Sequence, residues 1–256
     1  MQRSIFEVLH QSRTYVARRG KLLITALLAL AVVGFSGPAV AAPQPIVGGE
    51  FQDDADGLAA VLLDGDYQCT GSIVSNYWVL TAKHCLYDGG SRVADSRLSV
   101  RVKSIYWYSG GGVVNIATSR VRTSHDIAML KLDRSANAES VRLPTATTKV
   151  GATTYAFGWG RTCSVCIPSP RIKRATQSVV SINGLDAYGG RAVRTTGLNG
   201  NVCFGDSGGP LFKLVDGRRY QVGVLSGGDG SCGTTAVSWA TVPDSRDWIQ
   251  YVMDTV

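Results

Sequence analysis

Histidine is scarce in these 256 residues: there are three, and only His84 and His125 lie beyond residue 45. Base chemistry near neutral pH therefore rests on two imidazoles. Charged residues are only 18% of the chain, against 45% hydrophobic and 30 glycines, which excludes a disordered chain and points to a turn-rich globular one. No apolar run reaches the roughly 20 residues of a membrane span, and there is no internal repeat, low-complexity tract or Asn-x-Ser/Thr acceptor. Residues 1–45 carry +4 of the formal charge of +7, leaving +3 for the remainder, too little to support a nucleic-acid partner. No cysteine–histidine set has the spacing of a zinc site, and Gly110-Gly111-Gly112 lacks the acidic ligands of calcium, so neither metal nor cofactor is expected.

The N-terminus has the order of a secretory signal over residues 1–41. A basic stretch ends in Arg18-Arg19-Gly20-Lys21, an apolar run spans Leu22–Phe35, and Ala39-Val40-Ala41 supplies the cleavage site. Gly34, Gly37 and Pro38 cut the run short of an anchor, and Lys21 disfavours a twin-arginine route. An exported, extracellular protein follows, with no stable membrane anchor after signal removal. Six cysteines, an even count, suit that oxidising compartment.

Beyond a short propeptide, 42–45, the chain reads as two series of β-type runs separated by Gly, Asn and Asp turns. The first holds Leu58–Leu63, Ser72–Thr81, Leu98–Trp107, Val113–Val121 and Ile127–Leu132. The second holds Thr153–Trp159, Ile172–Ile182, Ala192–Thr195, Pro210–Val215, Tyr220–Ser226 and Ala236–Val242. Asp216-Gly217 marks a hairpin. The one helical segment is Ser245–Val256, capped by Asp244, with Trp248, Val252 and Val256 on one face. An all-β fold of two closed barrels is expected, about 46–140 and 141–256, with the boundary in Ser135–Val150.

Phe204-Gly205-Asp206-Ser207-Gly208-Gly209-Pro210 is a glycine-rich turn around one hydroxyl, able to aim two N–H groups at one point. An ordinary Gly/Pro turn would read the same. A serine needs a base, and the base an orienting group. His84 follows an apolar strand in Thr81-Ala82-Lys83-His84-Cys85, and Asp126 opens another in His125-Asp126-Ile127-Ala128-Met129-Leu130. Alone, a histidine beside a cysteine reads as structural or as a metal ligand, and an aspartate there as a strand-start cap or turn residue.

Together these motifs, with Ile46-Val47-Gly48-Gly49 and Gly158-Trp159-Gly160, resemble the chymotrypsin/trypsin family of serine endopeptidases over nearly all of 46–256. The resemblance implies two antiparallel six-stranded β-barrels around an inter-barrel cleft, with a C-terminal helix. It implies Ser207 as nucleophile, His84 as base, Asp126 as its orienting acid, and the N–H groups of Gly205 and Ser207 as the oxyanion hole. It further implies a zymogen in which a freed Ile46 amine pairs with Asp206. Cys69–Cys85 and Cys203–Cys232 match family disulfides, whereas Cys163 and Cys166 depart from them and suit a tight local bridge. The partner is a peptide or protein substrate, and a monomer is expected.

Pro45 stands where a tryptic activator would need Lys or Arg. Cleavage after Ala41 leaves Ala42-Pro43-Gln44-Pro45, two Xaa-Pro dipeptides that an Xaa-Pro dipeptidyl peptidase would remove; a proline-stiffened linker is the alternative. By resemblance Asn201 lies at the base of the primary pocket, which weakens any Arg/Lys preference. Ser226-Gly227-Gly228 pairs with substrate backbone, Gly227 opens neighbouring subsites, Ala236 narrows the pocket wall and Asp229 reaches its rim. Phe204 is either rim packing or a substrate contact. A catalytically silent binding protein and a narrow processing protease are the alternative readings.

Overall fold

The computed structural model describes residues 46–228, 230–233 and 236–256. The leader, its cleavage site, the propeptide and Asp229 fall outside the described residues.

Six strands close the first barrel: β1 (Leu58–Leu63), β2 (Asp66–Ser75), β3 (Trp78–Thr81), β4 (Leu98–Val102), β5 (Gly112–Val121) and β6 (Ala128–Leu132). Six more form the second: β7 (Thr153–Gly158), β8 (Lys173–Leu185), β9 (Arg191–Gly197), β10 (Pro210–Val215), β11 (Arg218–Gly228) and β12 (Val237–Thr241). The first runs β1-β2-β3-β6-β5-β4 around its circumference and the second β7-β8-β9-β12-β11-β10, the same order twice, closed by β7 on β8. Closure removes the edges that twelve exposed strands would otherwise offer to other chains.

β1 shows how the barrels are joined. Its run Leu-Ala-Ala-Val-Leu-Leu does not alternate with polar residues because both of its faces are covered. Ala59 and Val61 enter the core of the first barrel, while Leu58, Ala60 and Leu62 meet Phe157, Trp159, Ile172 and Phe212 from the second. Each such leucine contributes about 1.5–3 kcal/mol of burial.

The expected run Ser72–Thr81 is two strands, divided by a turn at Asn76-Tyr77, and the run expected to reach Trp107 stops at Val102. Val215 pairs with Arg218 across Asp216-Gly217, whose positive φ values (49° and 73°) give the tight turn expected there. The helix, α1 (Val242–Thr255), starts earlier than Ser245, with Thr241 rather than Asp244 at its N-cap. Pro243 sits in the first turn, where its missing N–H costs no hydrogen bond. The buried stripe is Val242, Ser245, Ile249 and Val252, and it joins the core of the first barrel. The last strand of the second barrel therefore leads straight into a helix that holds the first.

Candidate active site

The first barrel supplies an imidazole and a carboxylate. β3 is buried throughout and runs through Ala82 into a 3₁₀ turn, Lys83–Leu86, whose Cys85 is bridged to Cys69 of β2. That tether and the turn fix the backbone of His84. Asp126, just before β6, is fully buried and its carboxylate accepts three hydrogen bonds. Oδ1 takes the His84 N–H at 2.9 Å; Oδ2 takes the His84 ring at Nδ1 (2.7 Å) and the Ser226 hydroxyl (2.6 Å). A carboxylate at Nδ1 selects the tautomer with hydrogen on that nitrogen and leaves Nε2 as the lone-pair atom.

The second barrel supplies the serine. Gly205 and Gly208 take positive φ (92° and 76°), and the turn closes with Asp206 N–H on Cys203 O (3.1 Å) and Gly209 N–H on Asp206 O (2.9 Å). It is fastened to both barrels: Thr70 N–H donates to Ser207 O (2.9 Å) and Gly208 N–H to Leu225 O (2.8 Å). His84 and Ser207 line one cleft of about 360 Å³, together with Phe204, Ser226, Gly227 and Gly228. Phe204 is half exposed at its rim.

Asp206 points the other way, into the protein, fully buried. Gly160 N–H (2.8 Å) and Cys203 N–H (2.9 Å) donate to its carboxylate. A Cβ on Gly158 or Gly160 would stand 2.1 Å or 2.4 Å from that carboxylate group, which is why Gly158-Trp159-Gly160 flanks one indole with two glycines. Burial raises the Asp206 pKa to about 7, against the opposing pull of those two N–H groups and of Lys173. The Ile46 side chain is fully buried in the second-barrel core.

Matches to known proteins bear on this geometry. The sequence profile of the trypsin family covers residues 46–249. Trypsin epsilon of Drosophila erecta is 34% identical over 209 residues, covering 73% of this chain and 78% of that protein. Trypsin beta of the same fly is 32% identical over 207 residues, covering 72% and 78%. The chain belongs to the trypsin family of serine endopeptidases. Among solved structures, mouse neuropsin, a serine protease, superposes with a TM-score of 0.66 at 26% identity, covering 78% of this chain and 95% of its own. Human heparin binding protein reaches 0.70 at 23% identity, covering 82% and 97%, a likeness of fold alone.

In this trypsin-family protease the described lining of the cleft extends beyond the residues with motifs. Val237, which pairs with Gly228 where β12 meets β11, is among the described residues lining the cleft. Asn201 is buried in a two-residue strand against Val47, where its Oδ1 accepts Val202 N–H (3.0 Å). Val202, the next residue, is also among the described lining residues. Gly227 does leave open space where a side chain would stand.

Three disulfides form: Cys69–Cys85, Cys163–Cys166 and Cys203–Cys232. The sulfurs of Cys69 and Cys85 and a ring nitrogen of His84 lie within 4.8 Å of one another, but the bridge leaves no thiolate to bind an ion.

Several residues with a part in the site had no motif to announce them. Tyr67 OH donates to Gly205 O (2.7 Å) and lies 2.7 Å from Thr70 Oγ1, so β2 of the first barrel holds the turn of the second. Lys173 is fully buried, donates from Nζ to Gly48 O (2.7 Å), and burial lowers its pKa to about 8. A signal existed for it: Lys173, Ala175, Gln177 and Val179 occupy the inward positions of β8, so the lysine breaks an otherwise uncharged face.

Proposed function

We propose that this chain is a secreted, monomeric endopeptidase that cleaves proteins through an acyl-enzyme on Ser207. The observation that carries the reading is the buried Asp126 carboxylate fixing His84 in the cleft that Ser207 shares. Ser207 Oγ attacks the scissile carbonyl as His84 Nε2 takes its proton. The tetrahedral oxyanion is held by Gly205 N–H and Ser207 N–H. His84 returns the proton to the departing amine, and water then releases the acid by the same steps. Asp126 holds the imidazole in place and stabilises the imidazolium.

Substrate selection follows from the lining. Val202 and Val237 are buried apolar side chains among the described residues lining the cleft, which favours neutral residues there, while Asp229, expected at the rim, lies outside the described residues. Digestion of a peptide library by protein beginning at Ile46, with Ser207→Ala as control, tests this. Cleavage after Ala, Val or similar residues is expected; cleavage after Arg or Lys would overturn the pocket reading. Val237→Gly is expected to raise kcat/KM for larger apolar residues at that position by about 10–200-fold relative to alanine, as removing a buried branched side chain admits extra methylenes.

Activation is the release of Ile46, whose amine then pairs with Asp206. Extended at its N-terminus, the protein leaves Asp206 to burial. A carboxyl raised from 3.8 to about 7 stabilises the fold most below about pH 4, and that contribution is lost as pH rises through 7. The freed amine, charged below about pH 8, offsets the loss. Protein starting at Ile46 is therefore expected to melt above the extended chain at pH 7.5, with the gap shrinking toward pH 4. The same comparison in Asp206→Asn should show little gap, and a gap unchanged by that substitution would contradict the pairing. N-terminal sequencing of active secreted protein tests the route: Ile46 supports stepwise Xaa-Pro removal, whereas activity beginning at Ala42 excludes it. No helix among the described residues is long and apolar enough to cross a membrane.

A further inference from the structure

We infer that the turn Asp186–Gly190 of the second barrel is a clamp on Asp126, with Asp186 as its positioning residue; the inference rests on the triad reading above. Asp186 follows β8, and the turn returns the chain to β9. It closes on itself through Asp186 N–H to Gly190 O (2.8 Å) and Gly189 N–H to Asp186 O (3.1 Å). The buried Asp186 carboxylate divides its acceptors. Oδ1 takes Tyr188 N–H (2.8 Å) and Gly190 N–H (2.9 Å) from its own turn, while Oδ2 reaches across the barrels to Asp126 N–H (3.0 Å).

A second route runs through the next residue. Ala187 N–H donates to Ser226 Oγ (3.0 Å), and the Ser226 hydroxyl donates to Asp126 Oδ2 (2.6 Å), the oxygen that also holds His84 Nδ1. A third contact reaches the histidine's neighbour: Lys83 Nζ lies 3.8 Å from the centroid of the Tyr188 ring. One five-residue turn thus touches the main chain of Asp126, its carboxylate through one hydroxyl, and the residue before His84. The packing leaves no slack, since a Cβ on Gly190 would stand 2.6 Å from both Asp186 Oδ2 and Ser124 O.

The chemistry at Asp186 requires a carboxylate. All three of its partners are N–H donors, and only a carboxylate has acceptor oxygens on both arms. An amide would turn an NH₂ toward one of those donors. Because the two barrels each carry part of the triad, a strut between them sets how well Asp126 and His84 meet, and a misplacement of about 1 Å can cost about 100-fold in rate.

The test measures kcat and KM per active site, counted by fluorophosphonate titration, in Asp186→Ala, Asp186→Asn and Asp126→Asn. Asp186→Ala is expected to lose about 10–100-fold in kcat with KM within about twofold. Asp186→Asn, which keeps the shape of the turn and one acceptor oxygen, should lose less, again in kcat. In proton NMR the far-downfield Nδ1–H resonance of His84 should shift or broaden in both variants. A purely structural role would lower melting temperature but leave kcat per titrated site and that resonance unchanged. If Asp186→Ala does not fold, Asp186→Asn decides. Values of kcat within twofold of the parent in every folded Asp186 variant, with Asp126→Asn slowed by about 10⁴-fold, would overturn the clamp alone; a fully active Asp126→Asn would overturn the triad reading beneath it. Ser226→Ala combined with Asp186→Ala should be non-additive, because both routes end on Asp126.

Discussion

Ser207→Ala and His84→Ala are each expected to lower kcat by about a millionfold, and the double variant by hardly more. In the proposed mechanism the two residues act as one device. Without the imidazole the hydroxyl is a poor nucleophile, and without the hydroxyl the imidazole has no proton to take. What survives is binding and the N–H groups of the 205–207 turn, which stay in place because Thr70, Leu225 and Tyr67 hold that turn independently of either side chain. A residual rate about 10³–10⁴-fold above the uncatalysed reaction is therefore expected. Both variants should melt close to the parent, as His84 is about one-third exposed and bonds Asp126 from its backbone as well as its ring. Additive losses would contradict the coupled reading.

Asp126→Asn carries the next largest effect, about 10⁴-fold in kcat, the size established for this substitution in Ser-His-Asp proteases. The fold gives the reason. Asp126 Oδ2 accepts from both His84 Nδ1 and Ser226 Oγ. If an amide NH₂ occupies that place, it faces two donors, and the cheapest adjustment is for His84 to move its hydrogen to Nε2. The imidazole then presents a donor, not a lone pair, to the serine. KM should change little, because Asp126 is fully buried and does not line the cleft. The loss should diminish at high pH, where other routes to a serine alkoxide open. A large rise in KM with kcat preserved would place Asp126 in substrate binding instead.

The parts of this site legible in the sequence are those whose local chemistry is unusual. A serine among three glycines, a histidine beside a cysteine and an aspartate opening an apolar strand each stand out, and their order made the resemblance specific. Gly158-Trp159-Gly160 was legible as a pattern, but its cause, a buried carboxylate leaving no room for Cβ, appears only in three dimensions. The residues between motifs were not legible. Asp186 sits in Leu185-Asp186-Ala187-Tyr188-Gly189-Gly190, indistinguishable by composition from any polar turn, and its role depends on a partner 60 positions away. Val202 and Val237 on the cleft lining had no motif to mark them, because an apolar residue in a strand reads the same whether it faces a cleft or a core. The repeated barrel order was equally hidden, since two segments can share a topology while sharing almost no side chains.

The most direct test of the account is the mass of protein beginning at Ile46 after reaction with a fluorophosphonate, followed by peptide mapping. Attack by Ser207 Oγ on phosphorus expels fluoride and leaves one stable adduct. One adduct per chain, located on Ser207, formed rapidly by the parent and hardly at all by His84→Ala, is the predicted result. An adduct elsewhere, or labelling of Ser207 at the same rate without His84, would contradict it.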